Sequence, residues 1–122
     1  MNRPLIVGIG ELLWDILPDG RTPGGAPANF AYHATKQGAD GVVVSAVGTD
    51  SDGEAILEAV RGFGMPTDFI QITGEAPTGK SIVTLADGQP EYEIVQPAAW
   101  DFIRWTPELE ALATRANAVC FG

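Results

Sequence analysis

Two short apolar runs, Leu5–Ile9 and 41–48, flank a segment with helical periodicity. Apolar runs of this length, without alternating polar residues, are typical of strands buried on both faces, as in parallel sheets covered by helices. The segment between them, 26–37, repeats small and apolar residues at helical spacing and is followed by Gly38, a residue that commonly terminates helices. The order strand, helix, strand therefore predicts an α/β fold with a parallel sheet.

The rest of the chain extends this alternation, with one interruption. Asp87 and Gly88 lie between two β-rich segments, which predicts an antiparallel hairpin with a loop longer than two residues. The other predicted elements are a helix capped by Asp50 or Ser51 and ending before Gly64, a strand over 69–73, a helix from Thr106 and Pro107 to about Arg115, and a strand over 117–121. Because such a strand normally leads into another helix, we expect residues 1–122 to be one portion of a longer α/β protein.

Charge and cysteine content narrow the classes of partner. The 7 Lys and Arg residues are scattered singly among 16 Asp and Glu, which leaves a net charge of −9. Nucleic acids and anionic membranes require a basic stripe, so we expect neither as a partner. Cys120 is the only cysteine, and we expect a buried thiol in a reducing compartment. Glycines and Glu11 break the apolar run near the N-terminus, so no signal peptide is indicated and we expect a cytoplasmic protein.

The segment 74–81 fits the phosphate-loop pattern G-x-x-x-x-G-K-[ST]. Such a loop needs a helix directly after its lysine, here Lys80, to aim backbone amides at the phosphates. Residues 82–85 are instead short and rich in β-branched side chains, and Pro77 removes one backbone donor from the loop. We therefore interpret the match as coincidental.

Gly8 and Gly10 resemble the start of a dinucleotide fingerprint, but Leu13 stands where the third glycine belongs. The residues that follow lead to a turn at 18–20 rather than to a helix able to receive a pyrophosphate. A dinucleotide-binding oxidoreductase is therefore only a minor alternative.

A glycine pair, Gly24 and Gly25, leads directly into the first predicted helix, with Asn29 in its first turn. Glycines allow close approach of a ligand to the backbone, and asparagine can both donate to and accept from a hydroxyl. The same residues also fit a glycine turn in which Asn29 is a local cap. Both interpretations remain open.

Asp15 is an acidic residue in an otherwise apolar stretch, between Trp14 and Ile16. Burying a carboxylate is costly unless donors such as sugar hydroxyls satisfy it. Alternatively, strand alternation turns Asp15 toward solvent. In both cases it follows the carboxyl end of the first strand, where open α/β sheets bind ligands.

Together these segments resemble the ribokinase-like (PfkB) carbohydrate kinases, in particular their fructokinase-like branch. The similarity covers the whole chain as the N-terminal portion of such a kinase, and it rests on 10–15, 17–18, 24–31, 38–39, 47–53 and 77–79. It implies a Rossmann-type α/β domain with a small β-sheet lid, formed by residues 11–18 and 81–96, that closes over a monosaccharide.

The resemblance also implies roles for individual residues. Asp15, Gly25 and Asn29 occupy positions that hydrogen-bond sugar hydroxyls, Gly24 shapes the turn, and Ser81, Val83 and Val95 lie near lid positions that contact the sugar.

In this family a phosphoryl group passes from MgATP to a sugar hydroxyl, with an aspartate base in a glycine-rich motif far downstream. No counterpart of that motif exists in residues 1–122. We therefore expect the C-terminal ATP-binding half to be absent, no catalytic residue or metal ligand in this chain, and no activity or cofactor for the chain alone, with ATP and Mg²⁺ used by the complete enzyme. A homodimer through the lid is a further expectation. The alternative is a non-catalytic module for sugar binding or lid-mediated dimerisation.

Overall fold

The computed structural model describes residues 3–122, which form two four-stranded sheets and three α-helices. Along the chain the elements are β1 (Leu5–Ile9), β2 (Leu13–Leu17), β3 (Gly20–Gly24), α1 (Ala26–Lys36), β4 (Asp40–Gly48), α2 (Ser51–Gly62), β5 (Ile70–Thr73), β6 (Gly79–Ala86), β7 (Gln89–Ile94), a 3₁₀ turn (Ala99–Phe102), α3 (Pro107–Arg115) and β8 (Ala118–Phe121). Within the described part of the chain, no helix has the length and apolar character needed to cross a membrane.

The first sheet is parallel, has strand order β5-β4-β1-β8 and is covered by helices on both faces. Val43 and Val47 of β4 lie in a core with residues of α1 and α2, whereas Val42 and Val44 lie in a second core with residues of α3. Gly8 of β1 allows α1 to pack closely, because a Cβ there would overlap the backbone of Pro27. The sheet confirms the predicted α/β fold, and the packing at Gly8 explains that glycine without a dinucleotide.

The second sheet, which we call the lid sheet, has strand order β3-β2-β6-β7. Its hairpin β6–β7 is confirmed, but the prediction of a loop longer than two residues is wrong. Ala86 pairs with Gln89, and Asp87 and Gly88 have φ angles of 52° and 77°, as a two-residue type I′ turn requires. The sequence pattern did not indicate that β7 begins directly after the turn, because the second residue of β7 is a proline. Proline is tolerated there because β7 is an edge strand.

Strand β3 is the element that the sequence pattern missed. The pattern predicts only a turn there, since the strand contains glycines and Pro23 and has no apolar alternation. As an edge strand, β3 tolerates proline, and it pairs antiparallel with β2 from Leu13 opposite Gly24 to Leu17 opposite Gly20. The lid sheet therefore includes residues 20–24 besides strands β2, β6 and β7, which lie mainly within the predicted segments 11–18 and 81–96.

The helix ends follow the predicted caps. Asp50, rather than Ser51, caps α2 by accepting a hydrogen bond from the Gly53 amide at 2.8 Å. Thr106 caps α3 in the same way, with the Leu109 amide at 3.2 Å. Cys120 is only half-buried, because β8 is an edge strand whose side chains are largely exposed; the expectation of a fully buried thiol is wrong.

Candidate functional site

Asp15 lies in the second strand of the lid sheet, in a row of polar residues that crosses three strands. It pairs with Thr22 of β3 on one side and with Ser81 of β6 on the other. Residues paired across neighbouring strands share one face of a sheet. Asp15 is half-buried, and this burial raises the pKa of its carboxyl group. The row therefore presents a carboxylate between two hydroxyls, without an ion pair to neutralise it among the described residues.

Gly24 and Gly25 are required by close packing at the point where the chain leaves the lid sheet. A Cβ on Gly24 would overlap the Asp15 carboxylate, and one on Gly25 would overlap the backbone carbonyl of Glu11. Gly25 also has a φ of 108° and is the N-cap of α1. No side chain caps this helix, so the interpretation of Asn29 as a local cap is wrong.

Asn29 is exposed and lines a cavity of about 380 Å³. Thr22, Pro23 and Gly24 form one wall of this cavity, and α1 and the end of α2 form the others. Thr22 and Gly24 thus belong both to the surroundings of Asp15 and to the cavity that contains Asn29. They connect the two predicted site residues, which lie in different layers of the molecule.

Three further polar side chains that line the cavity were not identified from the sequence: Thr22, Tyr32 and His33. Tyr32 and His33 lie one turn beyond Asn29 on α1, so helical spacing from Asn29 is the signal that could have found them. Thr22 could be found only by recognising that β3 pairs with β2.

The lid residues Ser81 and Val83 are both buried. Alternation along β6 puts them on the face that carries Asp15. On the neighbouring strand, Ile94 is the residue paired with Ser81, whereas Val95 follows β7 and donates its amide to the Lys80 carbonyl at 3.0 Å. A shift of one residue moves a side chain to the other face of a strand. Ile94 therefore lies beside Ser81, and Val95 lies beside Lys80, just after the end of β7.

The phosphate-loop match leads into a strand rather than a helix, since β6 begins at Gly79. This confirms the structural reason for rejecting the match. Lys80 instead forms an ion pair with Asp52 at 3.1 Å. Among residues 3–122, no group of three or more His, Cys, Asp and Glu side chains is arranged to hold a metal ion.

Asp52, in the first turn of α2, binds residues from three strands of the lid sheet. Its carboxylate binds Arg21 of β3 at 2.6 Å as well as Lys80 of β6, and its carbonyl accepts a hydrogen bond from the Trp14 indole at 3.0 Å. The hydrogen bonds from Arg21 and Lys80 hold the pKa of Asp52 below its ordinary value, against the opposing effect of burial. We call these residues the Asp52 cluster; it holds the second face of the lid sheet against α2.

Comparisons with known proteins agree with this architecture. Residues 19–122 match the family described as pfkB family carbohydrate kinase. The chain is 31% identical to a fructokinase from Solanum tuberosum, over 98% of this chain and 41% of that protein. It thus spans about two fifths of the length of the curated relatives it matches.

Solved structures give the same picture. A fructokinase from Xylella fastidiosa with bound ATP superposes with a TM-score of 0.82 and 27% identity, over 96% of this chain and 38% of that one. An Arabidopsis thaliana ribokinase complexed with ribose and ATP superposes with a TM-score of 0.78 and 28% identity, over 99% and 45% of the two chains. The fold is therefore ribokinase-like, and the chain belongs to the pfkB family of carbohydrate kinases.

Proposed function

We propose that this chain is the N-terminal, sugar-binding part of an ATP-dependent carbohydrate kinase of the fructokinase type. The observation that carries the proposal is the position of Gly24, which contacts the Asp15 carboxylate and also lines the cavity of Asn29. A small polyhydroxylated ligand held there would meet acceptors and donors from the lid sheet and from α1 together.

The proposed roles follow from the chemistry of each group. The Asp15 carboxylate accepts hydrogen bonds from sugar hydroxyls, and these bonds offset the cost of its partial burial. Asn29 donates to one hydroxyl and accepts from another. Gly24 and Gly25 keep the backbone close to the sugar, and Ser81 and Val83 close the site from the lid side. Holding the reacting hydroxyl in place contributes much of the catalysis in phosphoryl transfer.

We assign ATP, Mg²⁺ and the catalytic base to the remainder of the protein. The solved structures of the Xylella fructokinase and the Arabidopsis ribokinase contain ATP, which supports ATP as the phosphoryl donor. The residues of this chain do not provide a phosphate loop, because the only matching segment continues as a strand. We therefore expect no phosphorylation by residues 1–122 alone.

The test is steady-state kinetics of the full-length protein with MgATP and a panel of monosaccharides that includes fructose and ribose. Asp15→Ala removes a charged acceptor, so we expect kcat/KM for the sugar to fall about ten- to a hundredfold. Asn29→Ala should lower it less, and the KM for ATP should be unchanged in both variants. Asp19→Ala is the matched control, because Asp19 is an exposed aspartate in the turn between β2 and β3.

Two results would contradict the proposal. One is a wild-type protein that phosphorylates no monosaccharide of the panel. The other is unchanged sugar kinetics in both Asp15→Ala and Asn29→Ala. This result would be compatible with a sugar kinase but would contradict the assignment of these two residues to the sugar site.

A second candidate function is dimerisation through the lid. The face of the lid sheet that carries Asp15 becomes apolar toward the Asp87–Gly88 turn, where Leu85 and Tyr92 are 68% and 65% exposed. Exposed apolar groups on one face are typical of an interface, and we propose a second copy of this chain as the occupant. Light scattering should give a dimer mass for the wild type and a monomer mass for Tyr92→Lys; a monomeric wild type would contradict this.

A further inference from the structure

Two segments on which the family resemblance rests, 47–53 and 77–79, are distant in sequence but meet at the base of the lid sheet. Thr78 lies immediately before β6, where the chain passes from the parallel sheet into the lid, and is only 2% exposed. Asp50 lies between β4 and α2, at the carboxyl edge of the parallel sheet. Neither residue belongs to the sugar site described above, so their contact needs an explanation of its own.

Asp50 holds Thr78 through both of its carboxylate oxygens. The Thr78 hydroxyl donates to Oδ1 at 2.5 Å, and the Thr78 amide donates to Oδ2 at 3.0 Å. The same hydroxyl accepts a hydrogen bond from the Gly48 amide at 2.9 Å. Burial by itself would raise the pKa of Asp50. The hydrogen bonds that its carboxylate accepts from Thr78 and Gly53 together outweigh this effect and keep the pKa below its ordinary value. We call Gly48, Asp50, Gly53 and Thr78 the hinge lock.

The glycines of the hinge lock explain why the segments approach so closely. A Cβ on Gly48 would lie 2.8 Å from the Thr78 nitrogen, and a Cβ on Gly53 would overlap the Gly48 carbonyl. A side chain on Gly48 would therefore push Thr78 away from the end of β4, and one on Gly53 would push α2 away from it.

The opposite side of the same segment is also held. A Cβ on Gly79 would overlap the ring of Trp100, and the Pro77 carbonyl accepts a hydrogen bond from the Ala99 amide at 2.9 Å. The chain entering the lid sheet is thus fixed between Asp50 on one side and the 3₁₀ turn on the other.

The hinge lock lies close to the sugar-binding face along β6. Ser81, three residues after Thr78, pairs directly with Asp15. A displacement at Thr78 would move Ser81 and Asp15 relative to Asn29, which is carried by α1 rather than by the lid. We infer that Asp50 and Thr78 are positioning residues that set the distance between the lid and α1 portions of the sugar site. This inference rests on the proposed function.

The test compares Thr78→Val with Thr78→Ser in the full-length protein. Valine keeps the shape of threonine but removes the hydroxyl, whereas serine keeps the hydroxyl. We expect Thr78→Val to lower kcat/KM for the sugar about tenfold or more, with an unchanged KM for ATP, and Thr78→Ser to restore values near wild type. Hydrogen exchange should show lid-sheet amides exchanging about tenfold faster in Thr78→Val. Amides of β4 before Gly48, whose own amide donates to the Thr78 hydroxyl, should keep wild-type rates.

Asp50→Asn is a second variant for the case in which Thr78→Val does not fold. Asparagine is as good an N-cap as aspartate, so α2 should remain protected. In the asparagine side chain, however, an NH₂ group replaces one of the two oxygens that accept hydrogen bonds from Thr78. One of these two bonds is therefore lost, and lid-sheet amides should exchange faster. Loss of protection in α2 equal to that in the lid would reduce Asp50 to a helix cap and overturn the inference.

The remaining outcomes are equally decisive. Equal effects of Thr78→Val and Thr78→Ser, or wild-type sugar kinetics and lid exchange in Thr78→Val, would overturn the inference while leaving the proposed kinase intact. A wild-type protein without sugar phosphorylation would overturn the proposed function and, with it, the role in the sugar site. The exchange measurements would then still decide whether Asp50 and Thr78 hold the lid sheet.

Discussion

The parallel sheet and the lid sheet have the same number of strands but are held in place by different interactions. Every residue of β4 after Asp40 is buried, whereas every residue of β7 is exposed. Helices cover both faces of the parallel sheet with apolar side chains. The lid sheet packs one face on α2 through buried Trp14 and through the ion pairs of Asp52, and its other face is buried at Ser81 and Val83 but exposed at Leu85 and Tyr92.

This difference indicates how rigid each sheet is. Apolar burial is cooperative and hardly depends on pH, so the parallel sheet should unfold only with the whole domain. The lid sheet buries fewer side chains, mainly Trp14 in the core and Ile16 against it, and the rest of its attachment to α2 is polar. A region with less apolar burial opens locally at lower cost, which is compatible with the proposed role of the lid sheet in admitting and releasing a sugar.

The largest expected effect concerns the core of the α/β layer. Ile56 of α2 is fully buried, whereas Ile72 of β5 is 63% exposed. We expect Ile56→Ala to lower the free energy of unfolding by about 2–5 kcal/mol and Ile72→Ala to change it by less than about 0.5 kcal/mol. Urea unfolding of the two variants measures this difference. Equal losses would show that the core does not stabilise the parallel sheet as described.

A smaller effect is expected at the Asp52 cluster. Asp52→Asn removes the ion pairs with Arg21 and Lys80, each worth about 0.2–1 kcal/mol at a partly exposed site. We expect faster hydrogen exchange in the lid sheet and unchanged exchange in β4. Glu54→Gln is the control, since Glu54 is an exposed carboxylate of the same helical turn without an ion pair to the lid.

The pH dependence of this effect has a definite sign. The pKa of Asp52 is lower in the folded protein than in the unfolded chain, where it is about 3.9. The stabilisation that the Asp52 carboxylate gives to the folded protein is therefore fully present above the unfolded pKa and is lost as the pH falls through the folded pKa. The difference in lid exchange between the wild type and Asp52→Asn should therefore be constant near neutral pH and disappear in acid. A difference that persists below the folded pKa would contradict the role of the carboxylate.

The smallest effect is expected at Asp15 and has the opposite sign. Burial raises the pKa of this carboxyl group. The ionised carboxylate therefore lowers the free energy of unfolding at neutral pH, and this destabilisation decreases as the pH falls through the folded pKa. Asp15→Asn should thus raise the free energy of unfolding slightly at pH 7, whereas Asp19→Asn should leave it unchanged. A fall of more than about 1 kcal/mol would show that Asp15 stabilises the lid sheet, and would remove the argument that it is kept for a ligand.

Local patterns were sufficient to predict most elements of the fold. The apolar run of β1, the capping of α2 by Asp50 and of α3 by Thr106, and the hairpin at Asp87 each depend on residues within a few positions of one another. Periodicity and capping are properties of such short windows. Asp15, Gly24, Gly25 and Asn29 were selected in the same way, and their resemblance to a family set their expected roles.

The features that the pattern missed all depend on which segments become neighbours. Strand β3 exists because β2 offers it an edge, and Thr22 becomes part of the candidate site only through that pairing. The pairing of Ile94 with Ser81 depends on the register of the whole hairpin, which is set from the two-residue turn outward. A pattern within one segment carries no information about the strand beside it.

The sequence by itself determined an α/β chain with a β-rich insertion, the ends of its helices and the residues suited to a polyhydroxylated ligand, because these follow from local hydrophobicity, capping and side-chain chemistry. Only the tertiary structure decided that Asp50 accepts hydrogen bonds from Thr78 and that Asp52 forms ion pairs with Arg21 and Lys80. The tertiary structure also decided that Gly24 lies against Asp15 and lines the cavity of Asn29. Those contacts join residues up to 31 positions apart. Chain packing, which no local pattern encodes, brings them within hydrogen-bond distance.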